Sequence, residues 1–253
     1  IKTDSIYEVV RLENEYIIAD IIPSLRGRLQ GAIDKRNGWD FLYYNNVIKP
    51  AEIAVRSAWI SGGIEWTHPG GHGYTQFNKI PYRIVDEPDG GKSVIVGEIE
   101  PNRKIKWESK ITLRPGQLFL ETTGRLQSIK PYSVPFANSD NAAAHATDEM
   151  EIIYPPESYV VGHSRDTTAK LWPYTDDTGN DYSWFKETKR ILSVFAMGNA
   201  LLEDWWGVYS HDQDIDAGTV IVSDHRKAPG KKYFTWGSHE QGRLWDNVLS
   251  DED

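Results

Sequence analysis

Between Lys106 and Leu113 the residues alternate, with Trp107, Ile111 and Leu113 on one side and Lys106, Glu108, Lys110 and Thr112 on the other. Successive side chains of a strand point to opposite faces, so a two-residue period reads as a half-buried β-strand. Arg114-Pro115-Gly116 then turns the chain, because Pro pre-sets φ and Gly accepts conformations closed to other residues. Gln117 to Leu126 returns with Leu118, Leu120 and Leu126 in phase, and the two segments are expected to pair antiparallel.

The same grammar runs along the chain. Strands are expected over Glu15 to Ile22, Arg28 to Ile33, Phe41 to Tyr44, Tyr82 to Val85, Ser93 to Ile99 and Glu149 to Tyr154. Further ones are expected over Ile191 to Ala196, Trp205 to Tyr209, Thr219 to Asp224 and Lys232 to Trp236. Asn37-Gly38 and Pro88-Asp89-Gly90-Gly91 are turn chemistry between neighbours. Val47 to Phe77 reads as a long loop, and His163 to Glu187 as another, with a helical turn near Trp184. No segment holds a 3.6-residue apolar period over three turns. Many short strands with Gly, Pro, Asn and Asp punctuation predict an all-β sandwich or barrel. With no internal repeat and no break in composition, residues 1–253 are expected to form a single domain.

Charge and composition remove several function classes. The net charge of −9 argues against nucleic acid or an anionic membrane as partner, since either calls for a basic stripe. No apolar run approaches the roughly 18 residues of a helical membrane span. With no cysteine, disulfides, thiolate metal sites and a cysteine nucleophile are excluded. The start at Ile1 without Met and the stop at Ser250-Asp251-Glu252-Asp253 lead us to expect a domain trimmed at both ends. Composition leaves the compartment open, with a periplasmic or extracellular setting preferred.

The chemistry concentrates in Ser57 to Phe77, which holds Trp59, Glu65, Trp66, His68, His72, Tyr74 and five glycines. Gly lets a ligand or backbone come close, aromatic faces suit a pyranose ring, and His and Glu exchange protons near neutral pH. A structural loop with satisfied polar residues is the other reading. His68 and His72 are four apart, but Pro69, Gly70 and Gly71 between them remove the helix face that a zincin needs, so no metal and no cofactor is expected. Asp212, Asp214 and Asp216 lack the terminal Glu of a calcium loop and read as a solvated acidic turn. The acid–base candidates are Glu65, His68, His72 and His145, and His145 reads also as a buried structural histidine. His211, Asp224 and His225 are secondary candidates. No serine elbow, phosphate loop or dinucleotide fingerprint occurs.

Several pieces together resemble a known family. They are Leu12-Glu13-Asn14-Glu15-Tyr16, Ile22-Pro23-Ser24-Leu25-Arg26-Gly27-Arg28-Leu29, Val47-Ile48-Lys49-Pro50-Ala51, Trp59-Ile60-Ser61-Gly62-Gly63-Ile64-Glu65-Trp66, Val96-Gly97-Glu98, Thr112-Leu113-Arg114-Pro115-Gly116 and Ala228-Pro229-Gly230-Lys231-Lys232-Tyr233-Phe234-Thr235-Trp236-Gly237. The chain is similar to the galactose-mutarotase-like (aldose epimerase-like) domain of bacterial proteins of uncharacterised activity, often followed by tetratricopeptide repeats. The resemblance implies a β-supersandwich of two curved antiparallel sheets, with a mono- or oligosaccharide on the concave face. It implies His145 as the proton donor, with Glu65 the best-placed carboxylate. The residues expected as sugar contacts are Arg28, Trp59, Trp66, His68, His72, Tyr74, Asn141, His211, Asp224 and His225. Two functions stay open. One is an acid–base enzyme at the anomeric or adjacent carbon, of epimerase, glycosidase or lyase type. The other is a non-catalytic carbohydrate-binding module.

Overall fold

The computed structural model describes residues 3–54, 57–72, 76–162, 168–197 and 203–250. The protein is all-β, with one α-helix among the described residues. Its contacts divide it into two compact units, Ile1–Ala143 and Ala144–Asp253.

The first unit opens with β1 (Val10–Glu13), β2 (Ile17–Ile22), β3 (Arg28–Asp34) and the two-residue β4 (Trp39–Asp40). The strand expected at Phe41 to Tyr44 is absent. Asp40 Oδ1 accepts from the backbone N–H of Ala32 at 3.0 Å and of Leu42 at 3.1 Å, so its side chain turns the chain off the sheet. The long loop expected from Val47 is in part strand: β5 (Ala51–Ala54), β6 (Ser57–Trp59) and β7 (Ile64–Trp66). Then follow β8 (Tyr82–Asp86), β9 (Lys92–Glu100), β10 (Ile105–Leu113), β11 (Glu121–Ser128) and β12 (Asp140–Ala142).

These strands make a six-stranded sheet in the order β1-β2-β3-β7-β12 with β4 on β3, a four-stranded sheet β11-β10-β9-β8, and a β5-β6 pair. The alternation that predicted β10 is observed from Ile105 to Ile111, with Ile105, Trp107, Ser109 and Ile111 buried, but Thr112, expected on the outer face, is 1 % exposed and bonded to Ser93 Oγ; β11 pairs with β10 antiparallel from Ile105↔Ser128 to Thr112↔Glu121. Leu118 is 52 % exposed, because it precedes the strand instead of belonging to it.

Core residues of both larger sheets, among them Leu12, Ile21, Leu29 and Trp66 from one and Val94, Val96, Trp107 and Ile111 from the other, form one apolar cluster. Two glycines set the close approaches. A Cβ at Gly27 would lie 2.5 Å from Val96 Cβ. A Cβ at Gly63, where φ is +61°, would lie 2.1 Å from the Leu29 carbonyl oxygen. Gly63 thus lets β7 come in beside β3, although only Leu29↔Ile64 is paired between them. The Ser57 to Phe77 stretch therefore delivers Glu65 to the interior of a sheet.

The second unit holds β13 (Met150–Ile153), β14 (Tyr159–Gly162), β15 (Lys170–Leu171), β16 (Leu192–Met197), β17 (Trp205–Ser210), β18 (Ala217–Val222) and β19 (Gly230–Thr235). They form a three-stranded sheet β13-β17-β18 and a four-stranded sheet β15-β14-β16-β19. Their core joins Met150, Ile152, Tyr154, Val160, Val194 and Ala196. Of the polar segment 163–187, residues 163–167 lie outside the described residues, and a 3₁₀ turn follows Trp184 at Phe185–Glu187 as expected. Helix α1 (Glu240–Leu249) was not expected. Its ten residues fall short of three turns and include Gly242, Asp246 and Asn247, which are poor helix formers. The packing of Trp236 on Trp245, stacked at 4.3 Å, supplies what propensity does not.

Candidate functional site

Glu65 is the centre of the candidate site. It lies on β7 with only 2 % of its surface exposed. A carboxylate in that position must be compensated or take up a proton. Four side chains surround it. Trp59 Nε1–H donates to Oε2 at 2.7 Å, and Asn141 Nδ2–H donates to the same oxygen at 3.4 Å. Gln76 donates its amide N–H to Oε1. His72 Nδ1 lies 3.1 Å from Oε1 and 3.0 Å from Oε2. Asn141 reaches it because β12 pairs with β7 in register, Asn141 opposite Glu65. Burial by itself pushes the Glu65 carboxyl up. The His72 hydrogen bond and charge, the Arg28 charge and the Trp59 N–H outweigh it, holding the group below the ordinary carboxylate range and ionised at neutral pH.

An ionised carboxylate only accepts, so the atom of His72 that faces it is Nδ1–H. The His72 side chain is 42 % exposed, and its ring meets Trp59 edge to face at 6.3 Å. The loop beneath it is tied down. Gly71 N–H donates to the Thr67 carbonyl at 2.9 Å, and Arg103 Nη1–H donates to the Pro69 carbonyl at 2.7 Å. Gly70 sits directly under this clamp: a Cβ there would lie 1.5 Å from Arg103 Nη1 and would displace the end of that side chain.

Three residues expected to meet a ligand lie in the core. Arg28 is 2 % exposed and donates through Nη2 to the carbonyls of Ile60 and Gly62. Its Nε and Nη1 are buried without a hydrogen-bond partner, and burial pulls its pKa down to about 10. Its charge is the counter-charge of Glu65. Trp66, 2 % exposed, donates Nε1–H to the Gly27 carbonyl at 2.8 Å and packs in the apolar cluster.

His68, 1 % exposed, has Nε2 3.0 Å from Ser109 Oγ and its ring edge-on to Trp107 at 4.9 Å. Burial first, then the Arg26 charge, holds its pKa at about 4, so it is neutral. Asp140 Oδ1 lies 3.6 Å from His68 Nδ1, which lines up serine, histidine and aspartate. A hydrolase triad needs an accessible serine, and Ser109 is 1 % exposed. Ser109 and His68 are packed polar residues of the core, and Asp140 is 41 % exposed at its edge. Tyr74 lies outside the described residues.

A family of domains of unknown function, DUF5107, matches residues 2–253. The chain belongs to the DUF5107 family. Among solved structures, this DUF5107 chain is similar to a TPR-domain containing protein from Parabacteroides distasonis. The identity is 22 %, the TM-score 0.85, and the match covers 97 % of this chain and 41 % of that one. The chain thus spans less than half the length of that relative. It is also similar to the Slr1438 protein from Synechocystis sp. PCC 6803, at 11 % identity and TM-score 0.56 over 84 % of this chain and 78 % of that one. For HI1317 the figures are 10 %, 0.56, 90 % and 76 %. At these identities the likeness concerns fold. No helix of the DUF5107 chain is long and apolar enough to cross a membrane.

The second unit of the DUF5107 chain carries the remaining candidates. His145 is half-buried and lies just past the unit boundary. His211 Nε2–H donates to Glu151 Oε2 at 2.8 Å, between the rings of Trp184 at 5.2 Å and Tyr209 at 5.1 Å. His225 Nδ1–H donates to Asp204 Oδ1 at 2.6 Å. Asp224 binds Arg226 through Nε at 2.9 Å and Nη2 at 3.1 Å, and the Arg226 hydrogen bonds pull its pKa to about 2.

Asp204, Asp224 and His225 are the one grouping of metal-ligating atoms among the described residues. Arg226 already neutralises Asp224, so their own bonds account for them. Asp212 and Asp216 close a turn, in which the Asp216 N–H donates to the Asp212 carbonyl at 2.7 Å and Tyr209 donates to Asp216 Oδ1 at 2.7 Å.

The sequence reading passed over Gln76, Glu151 and Asp204. Nothing local marks Gln76, an amide between Thr75 and Phe77. Glu151 becomes legible only when β13 is paired with β17, which places it opposite Tyr209 and near His211.

Proposed function

We propose that this protein is a carbohydrate-active domain that takes a sugar at the Glu65 cluster of its first unit. The observation that carries the reading is the buried ionised carboxylate beneath a half-exposed Trp59 and an exposed His72. Few polar groups, fixed from below and flanked by an aromatic ring, are the make-up of a small-molecule site. Trp59 offers the face for stacking, and His72 and Asn141 offer hydrogen bonds to hydroxyls. The resemblance to galactose-mutarotase-like domains, with their β-supersandwich, belongs to the same proposal and rests on the quoted motifs. Acid–base chemistry at the anomeric or adjacent carbon is the favoured activity, with tetratricopeptide repeats as companions of the longer protein.

A binding module without chemistry is the second reading. It is favoured by one observation: Glu65 is too buried to approach an anomeric carbon directly. Polarimetry of galactose and glucose anomers, with calorimetric titration of the same sugars, separates the two. Enzymatic acceleration of mutarotation supports the enzyme, binding without acceleration supports the module, and neither response across a panel of reducing sugars rejects the carbohydrate reading. The acid role that the resemblance implies for His145 has its own test. His145→Ala is expected to keep its melting temperature and lose ~10²–10⁴-fold in turnover, the range of a general acid. Unchanged turnover in a folded variant removes His145 from the mechanism.

A further inference from the structure

We propose that two copies of this chain associate edge to edge through β11, joining their β11-β10-β9-β8 sheets into one continuous sheet around a two-fold axis at Thr123. The inference is independent of the carbohydrate reading. Three observations carry it. First, β11 ends its sheet, and seven of its eight residues are exposed, with Leu126 half-buried. Just past the strand, the Ile129 N–H donates to the Lys104 carbonyl at 3.1 Å. By the alternation of an antiparallel ladder, the odd-numbered residues of β11 therefore bond toward β10, and Thr122, Gly124, Leu126 and Ser128 turn their N–H and C=O groups outward. Among the described residues these outward groups have no partner. Such a row is a template for another strand.

Second, the charges along β11 complement themselves. A guarded edge carries like charges that repel a copy. Here Glu121 and Arg125 are opposite in sign, on one face, two residues to either side of Thr123. With Thr123 on the axis, each Arg125 lies opposite Glu121 of the other copy. Arg125 has no ion pair among the described residues, because Glu108, its neighbour across the ladder, is taken by Arg83 Nη1 at 3.1 Å and Lys106 Nζ at 3.5 Å. Glu121 gives Oε2 to Arg114 at 2.8 Å and keeps Oε1 open. An axis at Glu121 or Arg125 would set like charges opposite each other, and one at Thr122 or Gly124 would leave both charges unmatched. Third, apolar groups flank both ends of the strand. Leu118 and Phe119 before it are 52 % and 58 % exposed, and Ile129 and Tyr132 after it are 52 % and 61 % exposed. Antiparallel pairing brings the leading end of one copy to the trailing end of the other, so these groups cover one another. The two-fold keeps the apolar faces of both sheets on one side, and it uses up the edge, so association stops at two.

The chain has no cysteine, which gives a clean test. Between the copies, the Thr123 pair is not hydrogen-bonded, so its Cα atoms lie ~4.5 Å apart, within the span of a disulfide. Thr122 faces Gly124 of the other copy and lies beyond the ~7 Å limit from its own counterpart. Mild oxidation is expected to link Thr123→Cys into a covalent dimer and to leave Thr122→Cys unlinked. In sedimentation, the unaltered protein is expected to show a monomer–dimer equilibrium. Arg125→Glu, at an exposed position, is expected to weaken it about tenfold by setting like charges across the edge, and adding Glu121→Lys is expected to restore it. If Arg125→Glu does not fold, the cysteine pair decides. A monomer throughout the soluble range leaves the edge to a strand from outside this chain and overturns the proposal. So do species larger than a dimer, equal linking at positions 122 and 123, no linking at 123, or a dimer indifferent to Arg125→Glu.

Discussion

Each unit joins histidine to carboxylate, but at opposite depths. In the first, the Glu65 side chain is 1 % exposed and Arg28 beside it is a buried cation. In the second, the partners are open to water, at 44 % and 31 % for His211–Glu151 and at 31 % and 47 % for His225–Asp204. The bonds have similar lengths, yet their consequences differ. An exposed pair exchanges one hydrated state for another, so its net contribution is small. A buried carboxylate has given up its water, and every remaining partner is needed to offset that loss. The lesson concerns role as much as energy. Depth turns a carboxylate into a fixed support for its histidine, whereas at the surface the same pair is an ordinary contact.

The largest expected effect comes from taking the anion away. Glu65→Ala strands Arg28 as an uncompensated buried charge and frees the donors of Trp59, Gln76 and His72. A loss of ~3–5 kcal/mol is expected, measured by urea unfolding. A loss below ~1 kcal/mol would mean that water reaches the cluster, and the contrast between the units would collapse.

The next effect is a pH dependence. The His68 pKa is about 4 in the folded protein, below its ordinary 6.5, so the unfolded chain takes up the proton first as pH falls. The His68 contribution to stability is therefore full above about 6.5, declines between about 6.5 and 4, and levels below, a change of ~3 kcal/mol for this group, while Asp140, whose pKa burial raises to about 6, offsets part of it in the same window. Glu65 adds to the His68 change in the same direction. Its pKa is lowered, and its contribution disappears as pH falls through the folded-state value. Urea titrations from pH 4 to 7 on the wild type and on His68→Gln measure the slope. An equal slope in both proteins would place the titrating group elsewhere.

A smaller effect sharpens the contrast from the other side. Lys231 is 0 % exposed in the second unit, but its ammonium donates to Ser223 O at 3.2 Å and Ser223 Oγ at 3.1 Å and sits 4.8 Å over the Trp206 ring. Its acceptors are neutral, and Asp204, whose charge acts on it, is half-exposed and keeps His225, so no buried anion is stranded when it goes. Lys231→Met is expected to change stability by only ~1 kcal/mol, the scale of a neutral hydrogen bond. A melting temperature that collapses as in Glu65→Ala would show that both units depend on buried charge.

The smallest is His211→Ala. It removes an exposed pair with Glu151 and is expected to shift the unfolding midpoint by under ~1 kcal/mol. A larger shift would assign the weight to the packing of Trp184 and Tyr209 around the ring.

Strands were legible wherever periodicity and turn residues agreed, as in β10 between its two partners. They were not legible where a side chain or glycine overrode the local pattern, as Asp40 does after β4 and Gly63 before β7. Helix α1 escaped because its stability lies in the Trp236–Trp245 stack and not in its own composition. The Ser57 to Phe77 stretch was visible as a chemical concentration, and Glu65 and His72 stood out within it. Their roles were not. The amino-acid sequence by itself determined the all-β class, the exclusion of thiol chemistry and the place where polar and aromatic residues gather, because those follow from period, inventory and spacing. Only the tertiary structure decided that His68 is neutral core and His72 exposed, four positions on, and that Gln76, Asn141 and Arg28 serve one carboxylate. Burial and charge compensation depend on neighbours from β3, β7 and β12, and pairing between strands distant in the chain is written in no local pattern.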